Sequence, residues 1–569
     1  MKKIFTILLL AIIPTFVFGQ IMMGGSMSSR KLNMVIAAIE NLYVDEIDDN
    51  KLVEDAIIAL LKELDPHSNY LNVEEVKEMN EPLQGNFEGI GIQFNMLTDT
   101  LYVVSVISGG PSEKVGLRAG DRIIMVNDTL IAGVKMKNSD IMSRLRGKKG
   151  TTVNVKVLRN NAPELISFAI VRDKIPIHSL EAAYMIDKET GYIRLNRFAA
   201  TSHDEFVEAL KKLKSKGMKN LIFDLQDNGG GYLNAAIDIA NEFLGSGKTI
   251  VYTEGFRQRR EDAQSSGKGL FETGKLVILI NETSASASEI VAGAVQDWDR
   301  GVLVGRRTFG KGLVQRAITL PDGSMIRLTT ARYYTPTGRS IQKPYEKGDA
   351  ESYNRDLAER FNRGEMISAD SIHFPDSLRF FTLVNRRVVF GGGGIMPDYF
   401  IPLDTTKYTI FHRNVIARGI VNRLVMNYID KNRAELKAEF PTFKKFHEKY
   451  VVSDVMMENL LNKYKEDKAT NRKNIATTRQ ETIEADSQVP SETNAVVDAQ
   501  EQGLTAQELE EFQRSEPLIR LQIKALIARD LWDMNEYFQV WNAENESYRK
   551  ALEIIRDTDW YNRLLGRKK

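Results

Sequence analysis

Between Gly191 and Pro402 short apolar runs take turns with helix-period patterns: Tyr192 to Leu195, Phe206 to Leu213, Leu221 to Leu225, Ala235 to Leu244, Leu276 to Ile280, Glu289 to Val295 and Val302 to Val304. Runs of four or five apolar residues suit buried strands, while each intervening pattern offers a single apolar stripe. Both surfaces are buried together when βα units share one sheet, so an α/β core is expected over residues 176–403. At 569 residues the chain exceeds what one core accommodates, and further domains must flank it.

Those flanks differ in character. Residues 28–84 read as a helical region, with Val53, Ala56, Ile57, Leu60, Leu61 and Leu64 at three- and four-residue spacing until Asp65-Pro66-His67-Ser68 breaks the pattern. Residues 85–175 alternate β-branched positions, as in Leu101 to Ile107 and Thr152 to Leu158, between glycines, and so form a compact β-rich module. A helical extension is expected over 404–464. The segment 465–503 is poor in apolar residues and reads as a disordered linker, and 504–569 reads as a small helical unit. Lys2 and Lys3 precede an apolar run from Ile4 to Phe18, then Gly19. That is the layout of a secretory signal peptide over residues 1–19 and points to a periplasmic location; the alternative is an uncleaved membrane anchor, which the short apolar run and Pro14 disfavour.

Composition narrows the chemistry. The formal net charge is +1, which leaves no electrostatic footprint for nucleic acid. With no cysteine in the chain, thiolate nucleophiles, disulfides and cysteine metal sites are excluded, so a nucleophile must be oxygen or nitrogen.

Three segments can carry such chemistry. Lys275 to Ile280 reads as a strand, Asn281-Glu282-Thr283 as a turn, and Ser284 through Ser288 leads into a helix, which places a serine beside free backbone amides. The same residues fit a plain capping box, Ser286-Ala-Ser-Glu289. Thr308-Phe-Gly-Lys311-Gly312 lies on a loop between two apolar strands, where a lysine is ordinarily a solvated residue. A lysine serves as a base once burial lowers its pKa from about 10.4 to roughly 7 or 8, a shift of about 3 to 4.5 kcal/mol. The third segment, Leu221 to Leu225 followed by Gln226, Asp227, Asn228 and Gly229-Gly230-Gly231, ends a strand in a triple glycine before a helix, and amides there can face an oxyanion. It lacks the Gly-Lys-Ser or Gly-Lys-Thr of a phosphate loop.

Taken together these segments resemble the carboxy-terminal processing peptidases, also called tail-specific proteases. Ser284-Ala-Ser286-Ala-Ser288-Glu289 resembles the family's nucleophile segment and Gly305 through Gln315 its base segment, and the family's separation of 25 positions matches 311 minus 286. The resemblance implies Ser286 as nucleophile, Lys311 as general base, Gln315 as the amide that orients it, and the backbone amides of Gly230 and Ala287 as oxyanion donors. The family often has arginine and proline where this chain has Gln226 and Gly229. Asp297 matches a polar position near the family's site, with a solvated helix residue the equal alternative. Within 85–175, Gly89-Ile90-Gly91-Ile92 resembles the carboxylate-binding loop of a PDZ domain, and Ser108 through Asn127 its turn, short helix and strand.

The resemblance spans roughly Leu52 to Pro402, including Leu64-Asp-Pro-His-Ser-Asn-Tyr-Leu71 and Gly391 through Asp398, and leaves the remainder as a partner platform, dimerisation helices or a lid. The implied fold is a multidomain α/β chain: N-terminal helices, a PDZ module, a spiral βα core like that of ClpP and crotonase, and a helical extension. The implied function is an exported serine endopeptidase acting on polypeptides near free, apolar C-termini, without metal or organic cofactor and open to an activating or adaptor protein. The alternative is an inert PDZ adaptor that holds exported tails.

Overall fold

A computed structural model describes residues 26–96, 99–107, 109–159, 162–485 and 503–567; the expected signal peptide lies outside them. The chain opens with helices α1 (Met27–Leu42) and α2 (Asp49–Lys62), strand β1 (Asn69–Leu71) and α3 (Val73–Gln84). Asn72 and Glu75 close a reciprocal capping box on α3, and Gly85, at φ 74°, ends it in the left-handed conformation open to glycine.

The β-rich module follows as β2 (Asn86–Gly89), β3 (Ile92–Met96), β4 (Leu101–Val106), α4 (Pro111–Lys114), β5 (Arg122–Val126), β6 (Thr129–Leu130), α5 (Asn138–Leu145), β7 (Thr152–Leu158), β8 (Ile166–Val171) and β9 (Asp173–Pro176). Its sheet runs β3-β4-β5-β7-β8, with β3 at the edge. Alternate residues such as Val153, Val155 and Val157 fill the interior, as a half-buried antiparallel sheet requires.

The α/β region comprises β10 (Leu180–Met185), β11 (Thr190–Leu195), α6 (Ser202–Ser215), β12 (Asn220–Asp224), α7 (Leu233–Asn241), β13 (Thr249–Gly255), β14 (Gln258–Gln264), β15 (Leu276–Ile280), α8 (Ala287–Asp297), β16 (Val302–Gly305), β17 (Leu313–Thr319), β18 (Met325–Tyr334), α9 (Ala350–Asn362), β19 (Arg379–Phe381), β20 (Val388–Phe390) and β21 (Tyr399–Phe400). Its main sheet runs β10-β11-β12-β15-β16-β21, parallel except for β10. A second sheet runs β1-β18-β13-β14, with β17 paired to β18. Strand β1 joins it from the N-terminal region, pairing Asn69 with Arg327, so that region is stitched to the core.

Helices α10 (Ile410–Ala417), α11 (Ile420–Glu439), α12 (Phe443–Lys449), α13 (Asp454–Ala485), α14 (Ala506–Leu531), α15 (Met534–Trp541), α16 (Glu546–Arg556) and α17 (Thr558–Leu564) complete the chain. Two expectations change here. The segment 465–503 is helical as far as Ala485, because Lys, Glu, Arg, Gln and Ala are strong helix formers and no glycine or proline interrupts them; residues 486–502 lie outside the described residues.

Nor is 504–569 a separate unit. Every residue of β15 is buried: Leu276, Ile278 and Ile280 face a core shared with α6, α7 and α8, while Val277 and Leu279 face Phe538, Ala551, Ile554, Ile555 and Tyr561. The last three helices therefore form the second cover of the main sheet. The same helical region also braces the β-rich module. Arg122 pairs with Asp430 at 2.5 Å and Asn95 Nδ2 donates to Met426 Sδ at 3.1 Å, both acceptors lying on α11.

Candidate active site

Three serines sit together at the start of α8, and the structure separates them. Ser284 is fully buried and its hydroxyl donates to Leu225 O at 2.7 Å; Ser288 is fully buried and donates to Asn228 O at 2.8 Å. Ser286 is half-buried, and its hydroxyl donates to no group among the described residues. Its backbone adopts φ 55° and ψ −112°, a conformation that costs a side-chain-bearing residue about 1–3 kcal/mol and persists only where its surroundings enforce it.

Glu289 enforces it. This fully buried carboxylate accepts from Ser286 N at 2.8 Å and Lys311 N at 2.9 Å through Oε2, and from Gly310 N at 2.7 Å and Thr308 Oγ1 at 2.5 Å through Oε1. The amide nitrogens of Ser286 and Lys311 can thus be no farther apart than those two contacts combined. A second staple comes from the buried Tyr333, whose hydroxyl lies 3.1 Å from Ser286 O and 2.6 Å from Lys311 O. Burial pushes the Glu289 carboxyl up against these bonds. The capping box read from the sequence is present, and the other bonds of its glutamate tie the Thr308–Lys311 loop to the Ser286 turn.

Lys311 is held on the loop between β16 and β17. Burial, assisted by the positive charge of Arg327, lowers its ammonium pKa to about 8; Glu289 and Asp65 oppose the shift. At that value about a tenth of the lysine is neutral at pH 7, the fraction a general base draws on.

Two expected roles move. Gly230 does pack on the nucleophile turn, since a Cβ there would meet Ser286 Cβ at 2.8 Å. Its N–H, however, donates to Asn228 Oδ1 at 2.9 Å. Asn228 is fully buried and fixed by Nδ2 on Leu195 O at 2.8 Å, so its carbonyl folds back two residues as an Asx-turn and occupies that donor. As first residue of α8, Ala287 has an N–H with no intrahelical acceptor. Gln315 lies beyond a bulge between Val314 and Gln315, and its Nε2 donates to Thr329 Oγ1 at 3.4 Å. Among the described residues it makes no hydrogen bond to Lys311. Asp297 is not solvated either; it forms a fully buried ion pair with Arg339 at 2.7 Å.

The Leu64–Leu71 segment supplies groups that the sequence did not assign to the site. Asp65 accepts from His67 N at 2.9 Å, Ser68 N at 3.1 Å, Ser68 Oγ at 2.6 Å and Thr329 Oγ1 at 2.9 Å. His67 contacts the Tyr353 hydroxyl through Nε2 at 2.9 Å, and burial plus the Lys311 charge lower its pKa to about 4. The Lys311 charge is therefore felt at His67.

In the β-rich module, Gly91 takes φ 75° between Ile90, whose carbonyl accepts from Ser112 N at 3.1 Å and Ser112 Oγ at 2.7 Å, and Ile92, where edge strand β3 begins. Among the described residues no cluster of three or more histidine and carboxylate side chains is arranged to hold a metal ion, and no helix is long and apolar enough to cross a membrane.

Comparison with known proteins meets this geometry. Residues 189–351 match the model of peptidase family S41 and residues 89–170 that of the PDZ domain. A carboxy-terminal-processing protease of Bartonella bacilliformis is 38% identical over 315 residues, 54% of this chain and 71% of that one. The chain belongs to peptidase family S41. The carboxy-terminal processing protease CtpA of Bacillus subtilis is 34% identical over 355 residues, 60% of this chain and 75% of that one. Among solved structures, a photosystem II D1 C-terminal processing protease is 29% identical, covering 56% of this chain and 85% of that chain at a TM-score of 0.31. The helical region outside these matches has its own, at 411–486 and 469–533, to a family of unknown function.

Proposed function

We propose that this family member is a serine endopeptidase working through a Ser286–Lys311 pair. The observation that carries the reading is a lysine buried to a pKa of about 8, stapled by Glu289 and Tyr333 to the one serine of the turn whose hydroxyl is not donated elsewhere. Neutral Lys311 takes the Ser286 proton as Oγ attacks the substrate carbonyl. The Ala287 N–H faces the developing oxyanion, where each donor contributes about 3–4 kcal/mol. The lysine then gives its proton to the leaving amine, and water releases the acyl enzyme by the same route. A second oxyanion donor from Gly229–Gly231 requires the Asn228 carbonyl to release the Gly230 N–H.

The substrate enters by its tail. A free, apolar C-terminus adds as a strand beside β3, its carboxylate taken by the Gly89-Ile90-Gly91-Ile92 loop. Residues 1–19 direct export to the periplasm. The deciding experiment is cleavage of an unstructured protein with an apolar C-terminus by the purified chain, beside folded Ser286→Ala and Lys311→Ala variants. Cleavage by the wild type alone supports the reading. Tail binding without cleavage in all three replaces it with the inert adaptor.

A further inference from the structure

The β17–β18 hairpin pairs Gln315 with Thr329 and Ala317 with Arg327. Cross-strand partners point the same way, so these four side chains share one face. Thr329 donates from that face to Asp65 at 2.9 Å, which makes it the face that the Leu64–Leu71 segment closes over. Arg327 stands two residues farther along the strand, about 7 Å away. Its charge is felt by both Lys311 and His67, lowering each.

Most of the substantially buried arginines of this fold have a carboxylate partner, and Arg300, which lacks one, donates instead to the carbonyls of Phe243, Gly274, Phe271 and Thr273. Arg194 pairs with Asp224 at 2.8 Å, Arg339 with Asp297 at 2.7 Å and Arg387 with Asp299 at 2.6 Å. Among the described residues Arg327 has no carboxylate partner; its one hydrogen bond runs from Nη1 to Met79 Sδ at 3.6 Å. A thioether is a weak acceptor, and a guanidinium carries five N–H donors. Burial holds the group below its usual pKa, the signature of a cation with too little compensation.

The neighbouring carboxylates cannot supply it. Asp65 is occupied by its four hydrogen bonds and Glu289 by its own four. Lys311, Arg327 and His67 thus stand within electrostatic reach of one another, with both nearby carboxylates already committed and His67 uncharged at neutral pH.

We propose that Arg327 receives a carboxylate of the bound substrate, so that the catalytic cleft selects an anionic group near the scissile bond independently of the PDZ loop. The guanidinium fork matches a carboxylate in bidentate geometry. Two sources offer that chemistry: the α-carboxylate of a tail ending close to the cut, and an acidic side chain. The inference rests on reading Ser286 and Lys311 as the reacting pair.

The test uses full-length Ser286→Ala protein, which binds without turnover, with and without Arg327→Gln. Fluorescence anisotropy reads the affinity of three short peptides: one with a free C-terminus, its C-terminal amide, and the amide with Glu replacing an internal Gln. PDZ-loop binding is common to both proteins and cancels in their comparison. Arg327→Gln is expected to weaken one or both anionic peptides roughly tenfold to a hundredfold relative to the neutral amide, and Arg327→Lys to restore part of the loss. Loss confined to the first peptide identifies the α-carboxylate, and loss confined to the third an acidic side chain. Equal affinities with and without Arg327, in variants with unchanged unfolding midpoints, overturn the proposal. Cleavage of the same peptides by wild-type protein is scored separately. Arg327-dependent binding without cleavage rejects the protease reading and leaves the carboxylate site standing.

Discussion

Replacing Glu289 tests whether one buried carboxylate aligns the nucleophile and the base. In Glu289→Gln one oxygen becomes an NH2. If that NH2 turns toward Thr308, whose hydroxyl can rotate to accept, the oxygen stays on Ser286 N and Lys311 N and only the Gly310 N–H is stranded. A buried unsatisfied donor costs about 1–3 kcal/mol, and that is the expected loss of unfolding stability. The opposite orientation strands the Ser286 and Lys311 amides together and costs about twice as much. Alignment therefore survives in Glu289→Gln, and covalent labelling of Ser286 by a fluorophosphonate should stay within roughly tenfold of the wild type. Glu289→Ala leaves all four donors without an acceptor and frees both loops. A displacement of about 1 Å at reacting atoms costs on the order of a hundredfold, which is the expected fall in labelling rate. Urea unfolding and labelling kinetics, run on the same preparations, give both numbers. A folded Glu289→Ala protein that labels at the wild-type rate would refute the reasoning.

Other consequences follow from the packing. Ile554→Ala removes a fully buried side chain between α16 and the sheet; it should cost about 2–5 kcal/mol in urea unfolding and lower the stability of the protease core itself, which a hydrogen-exchange measurement on β12 and β15 amides resolves. If only the helices open, they are a separate unit after all. Gly230→Ala places a methyl 2.8 Å from Ser286 Cβ at φ 103°, so labelling of Ser286 should fall at least tenfold while the PDZ module still binds a tail peptide; unchanged labelling would show that the turn has room.

How much of this was legible in the sequence depends on how local each feature is. Ser286 and Lys311 were reached through the family resemblance and its 25-residue spacing, since locally the turn also fits a plain capping box and the lysine a solvated loop residue. The hydroxyl contacts of Ser284 and Ser288 now single out Ser286 on separate, structural grounds. The contact of the Gln315 amide with Thr329 follows a bulge at Val314/Gln315 that no residue type marks. The bond from the Gly230 N–H to Asn228 comes from a side chain two residues earlier, which the triple glycine does not announce. The part played by Asp65 and His67 was out of reach, since the contacts that tie them to the rest of the fold, Asp65 to Thr329 and His67 to Tyr353, join residues separated by more than 260 positions. One clue was present but unused. Leu276-Val-Ile-Leu-Ile280 is apolar at every position, and a strand buried on both faces needs two covers. Helices α6, α7 and α8 account for one, and the chain beyond Leu504 was the remaining source of the other.

The central claim, that Lys311 is the base for Ser286, is tested most directly by the pH dependence of Ser286 labelling from about pH 3 to about pH 10. A base must be neutral to act, so the rate should rise with pH through a single midpoint near the Lys311 value of about 8 and vanish in Lys311→Arg, whose guanidinium stays protonated. A rate that instead rises through about 4, the value of His67, and survives Lys311→Arg would contradict the account and pass the role of base to the histidine.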